Sequence, residues 1–133
     1  MDQHIFTAVF LPHRLPRLAS HLERLEFPLT LIGVRWFLCL FAADFEPEYS
    51  CRLWDFLFAH GSHVLFALAL ELLSCHEASL LNAPDVPELF SAVRAIGSAE
   101  PSWSSLQAVV AAFPTEADVQ VARATYYRQT RHL

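Results

Sequence analysis

The sequence predicts an all-α fold, an orthogonal or irregular bundle of about six to seven helices. Three observations carry that prediction. Apolar residues recur at three- and four-residue spacing through most of the chain. Only 3 Gly and 8 Pro punctuate these patterns, so they run long. No stretch alternates apolar and polar residues as a half-buried strand would, and there is no internal repeat. The 133 residues suit one domain, and 54% hydrophobic against 17% charged residues is enough to bury a core and too apolar for disorder.

Residues 1–13 are short and mixed between chain start and Pro12, and read as an irregular lead-in. Leu15, Leu18, Leu22 and Leu25 predict a helix over 14–25, ended by Pro28. Residues 29–43 are almost all apolar and too long for one strand, which predicts a buried helix. Pro47 marks a turn, Ser50 can cap the next helix, and Leu53, Trp54, Leu57 and Phe58 line it until Gly61 stops it. Ser62 can cap a helix over 63–81, carried by Leu65, Leu68, Leu72 and Leu73 and broken at Pro84. Val86, Leu89, Phe90 and Val93 predict a shorter amphipathic helix over 85–96, ending at Gly97-Ser98. Two more follow, over 102–113, with a stripe of Trp103, Leu106, Val109, Val110 and Phe113, and over 115–131. The last opens on Thr115-Glu116-Ala117-Asp118, a capping box.

The balance of 9 basic to 14 acidic residues, net −5, leaves no basic stripe, which argues against nucleic acid or an anionic membrane as partner. All the basic residues other than His are Arg. The 3 Cys (Cys39, Cys51, Cys75) cannot all pair, and their apolar helical settings predict small buried hydrophobes in a reducing compartment. Met1-Asp2-Gln3-His4 is not the basic start of a signal peptide. Arg35 and Glu71 interrupt the two most apolar windows, so direct insertion into a membrane is disfavoured.

Arg35, Arg52 and Asp55 place charge within aromatic-rich apolar stretches. A lone buried charge is costly, so these three are expected to form an internal ion-pair cluster, with Arg52 and Asp55 at helical spacing. Trp36, Phe37, Phe41, Trp54, Phe56 and Phe58 are expected in the core. His60, His63, Cys75 and His76 hint at a metal, but Gly61 interrupts the first pair and no Cys-x-x-Cys accompanies them. Caps and surface positions are the expectation. Cys51, Asp55 and His60 share one predicted helix without any sign of triad geometry. No Gly-rich phosphate loop is present, so the chain is not itself a nucleotidase. No catalytic residue, metal site or cofactor is expected.

The order of residues is more telling than any one of them. His21-Leu22-Glu23 on a leucine helix precedes Arg35-Trp36-Phe37-Leu38-Cys39-Leu40-Phe41. Arg52-Leu53-Trp54-Asp55-Phe56-Leu57-Phe58, Gly61 and Leu65-Phe66-Ala67-Leu68-Ala69-Leu70 follow. This resembles the C-terminal half of the TBC domain of Rab GTPase-activating proteins, over roughly 15–96, with Arg35, Trp36, Arg52, Trp54, Asp55 and Gly61 as the family motif. The resemblance implies a helical lobe, a Rab-type small GTPase as partner, and a part in vesicle trafficking. It also implies two catalytic fingers, an Arg from Ile-x-x-Asp-x-x-Arg and a Gln from Tyr-x-Gln-Gly, which stabilise the transferring phosphoryl group and orient water. Neither motif occurs in this sequence; Tyr127-Arg128-Gln129 is followed by Thr130 and lies outside the resemblance.

The expected organisation is therefore a lead-in over 1–13, a partial TBC-like lobe over 14–97, and helices over 98–133 that extend the lobe or belong to it. The chain is expected to be a fragment or a degenerate member of the family, inactive alone. It is also expected to be cytoplasmic or peripheral on endomembranes through a Rab, and to self-associate through exposed apolar surface. A non-catalytic helical interaction or scaffold module is the alternative, and a small membrane-embedded helical protein a third reading.

Overall fold

A computed structural model of the chain describes residues 2–28, 36–37, 46–98, 107–108 and 112–131. Every regular element among them is helical. The N-terminal segment, expected to be irregular, is instead three helical pieces in series: α1 (Asp2–Ile5), a π-turn (Phe6–Phe10) and α2 (Leu11–Arg14). It orders because Ile5, Phe6, Phe10 and Leu11 are all buried, and burial of that much apolar surface outweighs weak local patterning.

Helix α3 (Pro16–Arg24) starts on a proline and buries Leu18, His21 and Leu22. Pro28 does not end it. The chain closes the helix earlier, with Glu26 at φ 55 and hydrogen bonds of 3.0 Å from Glu26 N–H to Glu23 O and from Phe27 N–H to Leu22 O. That is a Schellman closure, with the usual apolar contact supplied by buried Phe27 and Leu22. Most of the helix expected over 29–43, Arg35, Cys39 and Phe41 included, lies outside the described residues. Trp36 and Phe37 are described and buried, and the Phe37 ring lies 5.2 Å from Phe6 and 5.0 Å from Phe66.

Helix α4 (Pro47–His60) begins three residues before the expected cap, with Pro in its first turn, so Ser50 sits inside the helix and is buried. Gly61 stops α4 at φ 105, a conformation that favours Gly. Helix α5 (His63–Cys75) is buried on nearly every side from His63 to Leu73. A helix apolar all round belongs at the centre of a bundle. Here Phe66 meets Phe10 and Phe37 at centroid distances of 5.3 and 5.0 Å. The single helix expected over 63–81 breaks at His76, after which α6 (Glu77–Asn82) follows. Helix α7 (Val86–Ser98) starts where Asp85 Oδ1 accepts the Glu88 N–H at 3.0 Å, and continues through Gly97.

Most of 102–113 lies outside the described residues; Phe113 packs 5.6 Å from Phe10. Helix α8 (Glu116–Thr130) has the capping box expected of it. Asp118 N–H donates to Thr115 Oγ1 at 3.3 Å, and Thr115 N–H to Asp118 Oδ2 at 2.9 Å. No described helix is long and apolar enough to cross a membrane.

Candidate functional site

The residues singled out from sequence divide by the face of α4. Leu53 and Leu57 point inward beside Tyr49, and Trp54 packs half-buried against the core. A residue one or two positions along a helix from an inward one is turned 100–200° away. Arg52 and Asp55 accordingly face out. The Arg52 side chain is 53% exposed and reaches Glu48 at 3.7 Å across one turn, and Asp55 is exposed. The expected buried cluster of Arg52 and Asp55 is thus corrected: their charges stay solvated, where pairing is worth little. Phe58, expected in the core, is 77% exposed, and Phe56 is half-buried and stacks on the exposed His60 ring at 6.0 Å. Cys51 and Cys75, expected as buried hydrophobes, are both exposed free thiols. Burial of part of the Cys75 side chain, its bond to Glu71 and that residue's charge push the thiol pKa up, which makes it a poor nucleophile.

Gly61 lies at the most organised polar junction among the described residues. The Glu116 carboxylate, arriving from α8, sits on the first turn of α5. His63 N–H donates to Glu116 Oε2 at 3.2 Å, and His63 Nδ1 lies 3.3 Å from the same oxygen. Anions are favoured at helix N-termini, whose N–H groups lack intrahelical acceptors. A Cβ at Gly61 would stand 2.8 Å from Glu116 Oε2, so Gly61 both turns the chain and leaves room for the carboxylate. Burial alone would raise the Glu116 pKa. Hydrogen bonds from Gln120 and from the His63 backbone and ring, with the charge on His63, lower it overall.

Ser62 makes no side-chain cap to α5. Its Oγ instead accepts from Arg123 Nη2 at 2.9 Å. Arg123 also forks onto Asp2, with Nε to Oδ1 at 3.0 Å and Nη2 to Oδ2 at 2.6 Å. Both side chains are largely shielded, at 19% and 28% exposure. The bidentate bond to Asp2 raises the Arg123 pKa against partial burial, so the charge is fixed. The sequence gives no sign that Asp2 pairs with Arg123 or His63 with Glu116. Members of each pair stand 121 and 53 residues apart, and no local pattern joins them.

An open groove of about 790 Å³ runs between the N-terminal helical segment and α8, walled by Ile5, Val9, Phe10, Phe113, Val121 and Tyr126. Among the described residues no group of three or more His, Cys, Asp and Glu could hold a metal ion.

Comparison with known proteins agrees with that architecture. A family model described as the Rab-GTPase-TBC domain matches residues 2–81, more than half of the chain. The chain belongs to the Rab-GTPase-TBC domain family. Among curated proteins it is similar to human growth hormone-regulated TBC protein 1, 40% identical over 57% of this chain and 23% of that protein. The GTPase-activating protein gyp2 of Schizosaccharomyces pombe is 40% identical over 64% of this chain and 12% of its own length. TBC1 domain family member 2B of Xenopus tropicalis is 34% identical over 71% of this chain and 10% of its own. The chain therefore spans less than a quarter of each of these three relatives. No solved structure matches. The family match begins at residue 2 and so includes the N-terminal helical segment, and α7 and α8 lie beyond its last residue.

Proposed function

We propose that this polypeptide supplies the helical C-terminal half of a TBC domain, binds a Rab-type small GTPase as part of that domain, and does not by itself accelerate GTP hydrolysis. The observation carrying this reading is the combination of a family match over residues 2–81 with a sequence that contains neither Ile-x-x-Asp-x-x-Arg nor Tyr-x-Gln-Gly. An arginine finger is worth about 10³–10⁵ in rate, and a water-orienting Gln adds to that, so a chain without them keeps the scaffold and loses the rate enhancement. No regulatory chemistry of its own is assigned to the chain, and its location follows the GTPase: cytoplasmic, or peripheral on endomembranes.

Single-turnover GTP hydrolysis by a panel of Rab GTPases tests this directly. With this chain present, rates are expected to stay within about twofold of the intrinsic rate. Acceleration by one order of magnitude or more for any Rab would overturn it. The second reading is a non-catalytic interaction module. It draws on the exposed Phe58 and half-buried Trp54 and Phe56 of α4, an aromatic surface suited to self-association or partner binding. Light scattering separates the two: concentration-dependent dimers lost in Phe58→Ser favour the module, and a monodisperse monomer removes it.

A further inference from the structure

A second cleft, of about 590 Å³, lies between α3 and the end of α6, apart from the clasp around α8. Arg17, Ser20 and Arg24 line one wall and Asn82 the other. The three α3 residues are spaced i, i+3, i+7 and so share one face of the helix. The acidic residues of the same helical region, Glu23 and Glu26, line a different cleft on its other side. Charge is thus segregated around α3, and one wall carries cations only.

The position of Arg24 is built from below. His21 is 7% exposed and lies between Arg17 and Arg24 on the inner edge of that wall. Its Nε2 lies 3.0 Å from Ala83 O, and its Nδ1 lies 2.7 Å from Arg24 Nη2. A carbonyl oxygen only accepts and a guanidinium only donates. The partners therefore assign the ring proton to Nε2 and the lone pair to Nδ1. The imidazole is a fixed strut from the Ala83 carbonyl to the guanidinium, and spends no carboxylate on it. Among the described residues, neither Arg17 nor Arg24 has an ion-pair partner. In a chain of net charge −5, two uncompensated guanidinium groups on one wall are a local reversal of sign.

From this geometry we infer that the Arg17–Arg24 cleft binds a phosphate monoester. Two guanidinium forks match a dianion in charge and in the planar, paired donors they present. The Ser20 hydroxyl and the Asn82 amide add neutral donors. The cleft opens to solvent, which leaves room for a phosphate carried on a larger body. A soluble phosphate ester and a phosphatidic acid headgroup share this chemistry.

The test uses the full chain. Titration with inorganic phosphate, followed by backbone amide NMR at constant ionic strength with chloride as reference, is expected to give saturable shifts at Ser20, Arg24 and Asn82. The double variant Arg17→Gln/Arg24→Gln should weaken binding at least tenfold. Arg17→Lys, which keeps the charge and loses the fork, should weaken it severalfold, and Arg128→Gln on exposed α8 should leave it unchanged. Arg17 is exposed and its substitutions should melt as the parent does, whereas Arg24→Gln removes the donor to the buried His21 Nδ1 and should lower the melting temperature, so binding is compared at a temperature where the double variant is folded by circular dichroism. Flotation with phosphatidylcholine vesicles, with and without phosphatidic acid, identifies the source. Recruitment by phosphatidic acid that the double variant loses assigns the headgroup, and soluble binding without recruitment assigns a soluble ester. Shifts that do not saturate, shifts reproduced by chloride, or parental affinity in the double variant would overturn the inference.

Discussion

Helices α5 and α8 are of similar length, 13 and 15 residues, and are held by opposite means. Helix α5 is buried on nearly every side, and its neighbours hold it by apolar contact. Helix α8 buries Val119 completely, leaves Val121 and Tyr127 exposed, and is fastened by charged groups: Arg123 to Asp2 and Ser62, Glu116 to the first turn of α5. Apolar burial scales with area and is not screened by salt, whereas ion pairs that keep some exposure are. The contrast predicts a centre that fails only with the whole fold and an outer helix that releases first. The family match covers α5 and stops before α8.

Four substitutions probe that contrast, in descending order of effect. Phe66→Ala removes the ring between Phe10 and Phe37 and is expected to cost about 3–5 kcal/mol, read as loss of the cooperative thermal transition. Arg123→Ala leaves Asp2 partly shielded without its partner and should cost about 1–3 kcal/mol. Its signature is local: amide hydrogen exchange should quicken across α8 while α5 keeps its protection. Equal loss of protection in both helices would mean that they unfold as one unit.

Glu116→Gln has a pH signature. The folded-state pKa of Glu116 lies below its ordinary value, so its carboxylate stabilises the fold above the usual Glu range, near about pH 4.3, and that stabilisation is lost as pH falls through the lowered folded value. The parent should melt above Glu116→Gln at pH 7, and the difference should vanish in acid. A difference unchanged by acid would assign the effect to packing. Asp55→Ala should change stability by no more than about 0.5 kcal/mol, because Asp55 is exposed. A loss of several kcal/mol by chemical denaturation would restore the buried pairing expected from sequence.

How much of this was legible varies with distance along the chain. The capping box of α8 joins Thr115 to Asp118 within one turn, and the sequence spells it out. The stop at Gly61 and the buried character of α5 are local too, since one backbone angle and one run of apolar residues decide them. Misread features involve orientation. The Arg-Leu-Trp-Asp run of α4 sets its charges in an aromatic-rich stretch and so reads as a buried pair, yet a rotation of 100° per residue puts Leu53 inside and Arg52 and Asp55 outside. The N-terminal segment looked irregular because its helix is held by burial of Ile5, Phe6, Phe10 and Leu11 rather than by propensity.

The sequence by itself determined the helical class, the stop at Gly61, the capping box of α8, the family, and the lack of both finger motifs within this chain, since each is written in local residue patterns. Tertiary structure decided which face of α4 meets water and that Glu116 serves as the anion on the first turn of α5. It also decided that Arg123 ties α8 to Asp2, and that His21 braces Arg24 from the Ala83 carbonyl. These contacts join residues 53 to 121 positions apart. Hydrogen bonds act over about 3 Å of space, and no periodicity along a chain records which distant residues folding will bring that close.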